Sequence, residues 1–242
     1  MSKGTRERAQ AKRVVQEQLA RERRRTVTLW TTIGVVAVLV IAGLIGWGVA
    51  AGQRNDAGGK LTVPPSAVDD GTAFARGSGP VTIDIYEDFM CPACGQFESS
   101  SGATLTQLVD ANKVTVRYHP IAILDRYSST RYSTRSAGAA AAAAAGGKFY
   151  EYHEVLFANR PEEGSAGLDN ARLIELGRSV GLTDRAFADA INAKTYTAWA
   201  AKVTDTASSR GVTATPTVLV AGKKLDAPSP EALTAAVEAA GA

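Results

Sequence analysis

Cysteine and histidine are almost missing from this chain: 242 residues hold two of each. A zinc site draws on about four ligands, and Cys91, Cys94, His119 and His153 are a poor source of them, so no metal is expected. The two cysteines stand together as Cys91-Pro92-Ala93-Cys94. A bond between them closes almost no chain and constrains the unfolded state little. A purely structural disulfide is therefore weak, and a redox dithiol is the stronger reading. With no third cysteine, the pair cannot be trapped in a wrong internal disulfide. It also has no internal redox partner, so another protein must recharge it.

Charge is missing as well, from Thr26 to Gln53. Within that stretch Leu29 to Ala51 is a nearly continuous apolar run of 23 residues, and about 20 span a bilayer core as a helix. Trp30 and Trp47 lie near its ends, as interfacial aromatics do. Residues 1–25 carry nine Lys/Arg and three acids, a net of +6 in a chain whose total is +3, so the rest carries −3. The basic character belongs to the tail, which argues against nucleic acid as a partner. Residues 1–28 are expected to form a basic cytosolic tail and 29–51 a transmembrane helix. The positive-inside rule then places everything after Ala51 outside the cytosol, as a single-pass protein of the cell membrane. Val49-Ala50-Ala51 leaves a cleaved signal as the alternative.

Residues 52–79, broken by Gly52, Gly58, Gly59, Pro64, Pro65, Gly71, Gly77 and Gly79, read as a linker, with Leu61-Thr62-Val63 able to pair as an extra strand. The outer domain is expected over 80–242. Val81 to Tyr86 alternates as a β-branched strand that runs into the cysteines. Pro92 suits the first position of a helix there, to about residue 111. The unsatisfied N–H groups of that helix start would stabilise a Cys91 thiolate, and Cys94 follows one turn later on the same face. Val114 to Tyr118 is a second strand, parallel to the first across the helix, and ends at His119-Pro120. His119 reads as a strand-end residue.

From about 128 to 210 no good strand occurs. The alanine run 139–145 reads as a buried helix. Phe149 to Phe157 is an aromatic helical patch with His153 on its surface or in its packing. Asp169 and Thr183 are candidate caps, and a last helix of the insert contains Trp199. The sheet resumes at Thr217 to Val220, turns through Ala221 to Lys224, and is followed by a helix opening at Ser229-Pro230-Glu231. Thr215-Pro216 stands just ahead of that strand.

Taken over about residues 79–242, the order of elements resembles an α/β thioredoxin-like fold with a DsbA-type helical insertion. The chain is similar to membrane-anchored DsbA-family thiol–disulfide oxidoreductases. Cys91-Pro92-Ala93-Cys94 matches that family's redox motif and Thr215-Pro216 its cis-proline loop. The resemblance implies Cys91 as exposed nucleophile, Cys94 as buried resolving cysteine, and Pro92, Ala93, Thr215 and Pro216 as the wall that meets substrate. It implies no cofactor beyond the Cys91–Cys94 disulfide. The implied substrates are unfolded or partly folded exported proteins with cysteines, and the implied re-oxidant is a quinone-linked membrane protein. Two positions depart from the pattern. Ala93 stands where many members have histidine, which removes a donor beside the thiolate. Ile85 stands where thioredoxin-like proteins often bury an acid. Asp84, Glu87 and Asp88 flank the site instead, and Glu87 or Asp88 is the expected proton relay. An oxidase is the leading reading. An extracytoplasmic reductase or isomerase, or a non-catalytic tethered peptide-binding module, are the alternatives.

Overall fold

A computed structural model of the chain describes residues 60–241. The expected basic tail, the apolar run Leu29–Ala51 and the first part of the linker lie outside the described residues. Among the described residues, no helix is long and apolar enough to cross a membrane.

Five strands form one sheet: β1 (Phe74–Gly77), β2 (Val81–Glu87), β3 (Val114–Pro120), β4 (Thr217–Val220) and β5 (Lys223–Lys224), in the order β1-β3-β2-β4-β5. β2 is central. It runs parallel to β3, with Ile83 opposite Val116 and Ile85 opposite Tyr118. It runs antiparallel to β4, with Ile83 opposite Val220 and Ile85 opposite Val218. These β-branched and aromatic residues share one face because side chains alternate along a strand. That face is covered by α1 (Pro92–Asp110) and the C-terminal helix α7 (Pro230–Ala239), through Phe97, Leu105, Leu108, Leu233 and Val237. Ser229 caps α7 by accepting a hydrogen bond from the Ala232 N–H, with Pro230 in the first turn. Gly79 makes the tight entry into β2. A Cβ there would lie 2.2 Å from the Val114 nitrogen.

Between β3 and β4 stand a short 3₁₀ turn (Asp125–Tyr127) and five helices: α2 (Tyr132–Ala145), α3 (Phe149–Ala158), α4 (Asn170–Ser179), α5 (Arg185–Asn192) and α6 (Thr197–Ser209). The alanine-rich α2 is the hub of this insert, packed by α3, α5 and α6, with Ala139 to Ala144 buried. Small side chains allow several helices to approach one axis closely. Asp169 caps α4 by accepting from the Arg172 N–H at 2.8 Å. Thr183 does not cap α5: the N-cap is Asp184, one residue on, and its side chain makes no capping bond.

The edge strand falls in the stretch read as linker, but at Phe74–Gly77 and not at Leu61–Val63. Leu61 and Val63 stay exposed, whereas Phe74 is buried against Phe149 and Trp199 at ring distances of 4.4 and 5.2 Å. The burial of Phe74 brings the chain alongside β3. Upstream, Trp199 donates from Nε1 to the Gly71 carbonyl (2.6 Å) and Lys202 Nζ to the Asp70 carbonyl (3.0 Å). Asp69 pairs with Arg117 and Arg210. Residues 69–79 are therefore built into the domain.

Two apolar cores result, one under the sheet and one in the insert. α1 joins them: Phe97 belongs to the sheet core, while Cys91 and Cys94 belong to the other.

Candidate active site

β2 delivers the chain to the seam between the cores, and Cys91 is the N-cap of α1. The Cys91 N–H donates to the Asp88 carbonyl (2.9 Å), and the Cys91 carbonyl accepts from the Gly95 N–H (3.2 Å). Both cysteines are free thiols. Cys94 is wholly buried one turn on, whereas Pro92 and Ala93 between them are exposed. The Cys91 thiol donates to the Thr215 carbonyl at 3.4 Å, and the Thr215–Pro216 peptide is cis. The redox motif and the Thr-Pro loop, 124 residues apart, thus meet at the Cys91 sulfur.

The two thiols differ sharply. A hydrogen bond from Cys94 is the largest influence on Cys91. With those from the Thr215 side chain and the Cys94 and Ala93 N–H groups, it outweighs burial and lowers the Cys91 pKa to about 6. Burial, then the hydrogen bond to Cys91, then the nearby Glu87 charge push Cys94 far up. One sulfur is poised as a thiolate while the other holds its proton.

The flanking acids have separate places. Asp84 binds Arg117 through both oxygens (2.6 and 2.7 Å) and His119 Nε2 at 3.0 Å. Burial raises its pKa, but the hydrogen bonds from His119 and Arg117 prevail and hold it below the ordinary range. His119, stacked on Tyr86 at 4.2 Å, is structural, as its place at a strand end suggests. Asp88 accepts from the Met90 and Leu124 N–H groups, both at 2.9 Å, and so pins the turn before Cys91 to the loop after β3. Burial outweighs those bonds and lifts it to about 6. Glu87 is different. It is buried with its carboxyl held by His153 Nε2 at 2.7 Å, and burial raises its pKa to about 8.

His153 is no surface residue. It has no exposure and packs among Phe89, Phe149 and Phe157. Burial lowers its pKa, so it is neutral. Sequence reasoning missed Glu98 altogether. Its carboxyl lies against Glu87, and burial, then the Glu87 charge, raise its pKa well above the usual range. The signals were present. Glu98 follows Cys94 by four residues and so shares its helix face, and His153 is flanked at four-residue spacing by Phe149 and Phe157. Glu87, Glu98 and His153 bring three potential ligand atoms within 4.8 Å of one another.

A family model described as thioredoxin matches residues 72–239. The chain belongs to the thioredoxin family. Reduced DsbA from Mycobacterium tuberculosis is 36% identical to it, with a TM-score of 0.62 over 71% of this chain and 93% of that one. DsbG of the same organism, in its reduced form, is also 36% identical, with a TM-score of 0.63 over 72% of this chain and 90% of that one. Among curated sequences, the serine/threonine-protein kinase PknE of M. tuberculosis is 32% identical over 121 residues, 47% of this chain. The chain spans only 21% of that kinase's length. This thioredoxin-family chain is a DsbA-type protein disulfide oxidoreductase.

Opposed pH dependences follow for the oxidoreductase. The folded value of Cys91, about 6, lies below its ordinary 9.0. In the dithiol form its stabilisation is complete above that ordinary value and is lost as pH falls through about 6. The folded value of Glu87, about 8, lies above its ordinary 4.5. Its contribution is complete below the ordinary value and is lost as pH rises through about 8; Asp88 acts in the same direction lower down. The disulfide form keeps the carboxyl dependence and lacks that of Cys91. Urea unfolding between about pH 5 and 9 should show both forms losing stability as pH rises through the raised carboxyls, Glu98 included, with the dithiol form losing less because Cys91 offsets part of it. Parallel curves for the two forms would rule out a depressed Cys91 pKa.

Proposed function

We propose that this chain oxidises cysteine pairs of exported proteins, outside the cytosol, through a Cys91–Cys94 disulfide. The observation that carries this reading is the one-sided stabilisation of the Cys91 thiolate at the start of α1. A substrate thiolate attacks the Cys91 sulfur, the Cys91–Cys94 bond breaks, and Cys94 leaves with the electron pair. A second substrate thiolate then attacks the substrate sulfur of the mixed disulfide and expels Cys91. The pair ends reduced and the substrate carries the new disulfide. A leaving thiolate of low pKa departs quickly, and stabilising it favours the reduced enzyme, which makes the disulfide oxidising. The helix start and local donors supply this without a histidine at position 93.

Substrate meets Pro92 and Ala93 on one side of the sulfur and Thr215 and Pro216 on the other. The groove continuing past Gln96, Phe157 and Arg160 gives the flanking peptide room. Glu87, buried and mostly protonated at neutral pH, suits the proton-relay role better than Asp88, whose oxygens are committed to backbone N–H groups. The apolar run 29–51 and basic residues 1–28 support a membrane tether with the catalytic domain outside. With no third cysteine, recharging falls to a partner, for which a quinone-linked membrane protein fits.

Equilibrating the chain with graded glutathione buffers tests the direction. The expected reduction potential lies well above that of thioredoxin, about −270 mV, toward that of a strong oxidant, about −120 mV. A thioredoxin-like value would point to a reductase instead.

A further inference from the structure

One cation stands at the mouth of the site without an opposite charge. Arg160 follows the end of α3, and its half-buried side chain reaches back to the turn that carries Cys91. Nη1 donates to the Met90 carbonyl at 3.4 Å and to the Pro161 carbonyl at 2.8 Å. Among the described residues Nε and Nη2 make no hydrogen bond, and no carboxylate pairs with the guanidinium. Nε and Nη2 form an edge that can bind a carboxylate through two parallel hydrogen bonds. The arginine is fixed from behind. Its N–H donates to the Phe157 carbonyl at 3.2 Å, while Asn159 beside it donates to the Val155 carbonyl (2.9 Å) and accepts from Arg172 Nη2 (2.8 Å). In front, Gly95 leaves room, since a Cβ there would lie 3.2 Å from Arg160 Nε. A side chain held this way loses little further freedom on binding.

The surroundings give that edge a use. Arg160 lines the groove beside the redox pair, and the wall formed by Pro92, Ala93, Gln96, Ser99 and Phe157 carries no charge. The next groove shares Ser99 and Phe157 but has the opposite character, with Glu98 and the exposed Glu154 in its wall. A peptide running from Cys91 along this path meets a cation first and acids after it. Arg160 is not among the main influences on the Cys91 thiol, which are the Cys94 hydrogen bond, burial and the other local donors. Its charge is therefore available to a ligand.

We infer that Arg160 selects substrates carrying an aspartate or glutamate within a few residues of the cysteine that attacks Cys91. The substrate carboxylate takes the Nε–Nη2 edge as the cysteine sulfur comes up to Cys91, so the contact orients the encounter. The inference rests on Cys91 being the attacked sulfur. It does not depend on the direction of exchange, because oxidation and reduction pass through the same mixed disulfide.

The test is the second-order rate at which end-capped two-cysteine peptides, in excess, reduce the disulfide form of the full chain. Each peptide is made in two versions, with aspartate or asparagine at one chosen position. The aspartate-to-asparagine rate ratio should be about 5-fold higher for the parent than for Arg160→Gln, the upper end for a partly exposed ion pair. Comparing ratios cancels the acid's own effect on the peptide thiol and any general loss of activity in the variant. Arg160→Lys keeps the charge but not the fork, so it should retain only part of the preference. Arg160→Glu should turn the preference toward peptides with lysine at that position. Moved outward along the peptide, the aspartate should lose its advantage where it comes against Glu154. Equal ratios in the parent and Arg160→Gln would overturn the inference. So would an advantage of the same size at every position, since a diffuse field and not a fixed site would then be its cause. Both ratios can be read whether the potential in glutathione buffers is oxidising or thioredoxin-like. A wrong direction of exchange and a wrong role for Arg160 therefore give different results.

Discussion

Replacing Cys91 with serine should abolish thiol–disulfide exchange and leave the fold in place. A serine oxygen cannot form the internal disulfide, and it is not ionised by donors that suffice for a thiol. The loss is therefore complete and not a reduction in rate. Cys91 is 6% exposed, at the mouth of the site, and serine fills nearly the same space, so helix α1 should keep its start. Cys94→Ser provides the complement. Cys91 alone still attacks oxidised glutathione, but no Cys94 thiol remains to close the internal disulfide, so Cys91 should accumulate as its glutathione mixed disulfide. The measurement is oxidation of a reduced two-cysteine peptide by the chain in an oxidised glutathione buffer, with mass spectrometry of the trapped species. Unchanged peptide binding with no exchange in the parent chain would leave only the tethered binding module. Exchange surviving in Cys91→Ser would move the chemistry away from this motif.

Trp199→Ala should lower stability by about 3–5 kcal/mol, the usual range for emptying a buried aromatic site. For a domain of this size that shifts the thermal midpoint by about 10 °C. Trp199 is wholly buried on α6, where its ring packs on Phe74 of the edge strand and its Nε1 donates to the Gly71 carbonyl. Truncation would leave a cavity, an unpartnered carbonyl and a loosened edge strand together. Trp199→Phe keeps most of the volume and loses only the N–H, so it should cost about 1 kcal/mol more than the lost area alone. Calorimetry of both variants separates the packing from the hydrogen bond. A small effect of Trp199→Ala would mean that residues 69–77 are held to the domain mainly by Asp69 with Arg117 and Arg210.

Much of this was legible in the chain because it was local. β-Branched alternation marks β2 and β3 within a few residues of their own positions, and Pro92 and Ser229-Pro230 mark helix starts through rules that reach no further than one turn. The alanine run declares α2 for the same reason. The cysteine pair was legible because so few other residues could compete for its chemistry. Phe74–Gly77 was not legible: four residues, two of them Ala and Gly, have no period of their own, and they become a strand because Phe74 finds a pocket made by Phe149 and Trp199 from the insert.

The acids show the same division. From the sequence alone, Asp84, Glu87 and Asp88 are three carboxylates near two cysteines, and nothing local ranks them. What each does depends on partners 30 or more residues away: Arg117 and His119 for Asp84, the Leu124 N–H for Asp88, His153 for Glu87. By itself the sequence marked the cysteine pair, the helical insert and the parallel pairing of β2 with β3, since each rests on residue type and short-range spacing, whereas the Thr215-Pro216 loop entered through family resemblance. Only the tertiary structure decided which carboxyl loses water, because desolvation is a property of everything packed around a group and not of its neighbours along the chain.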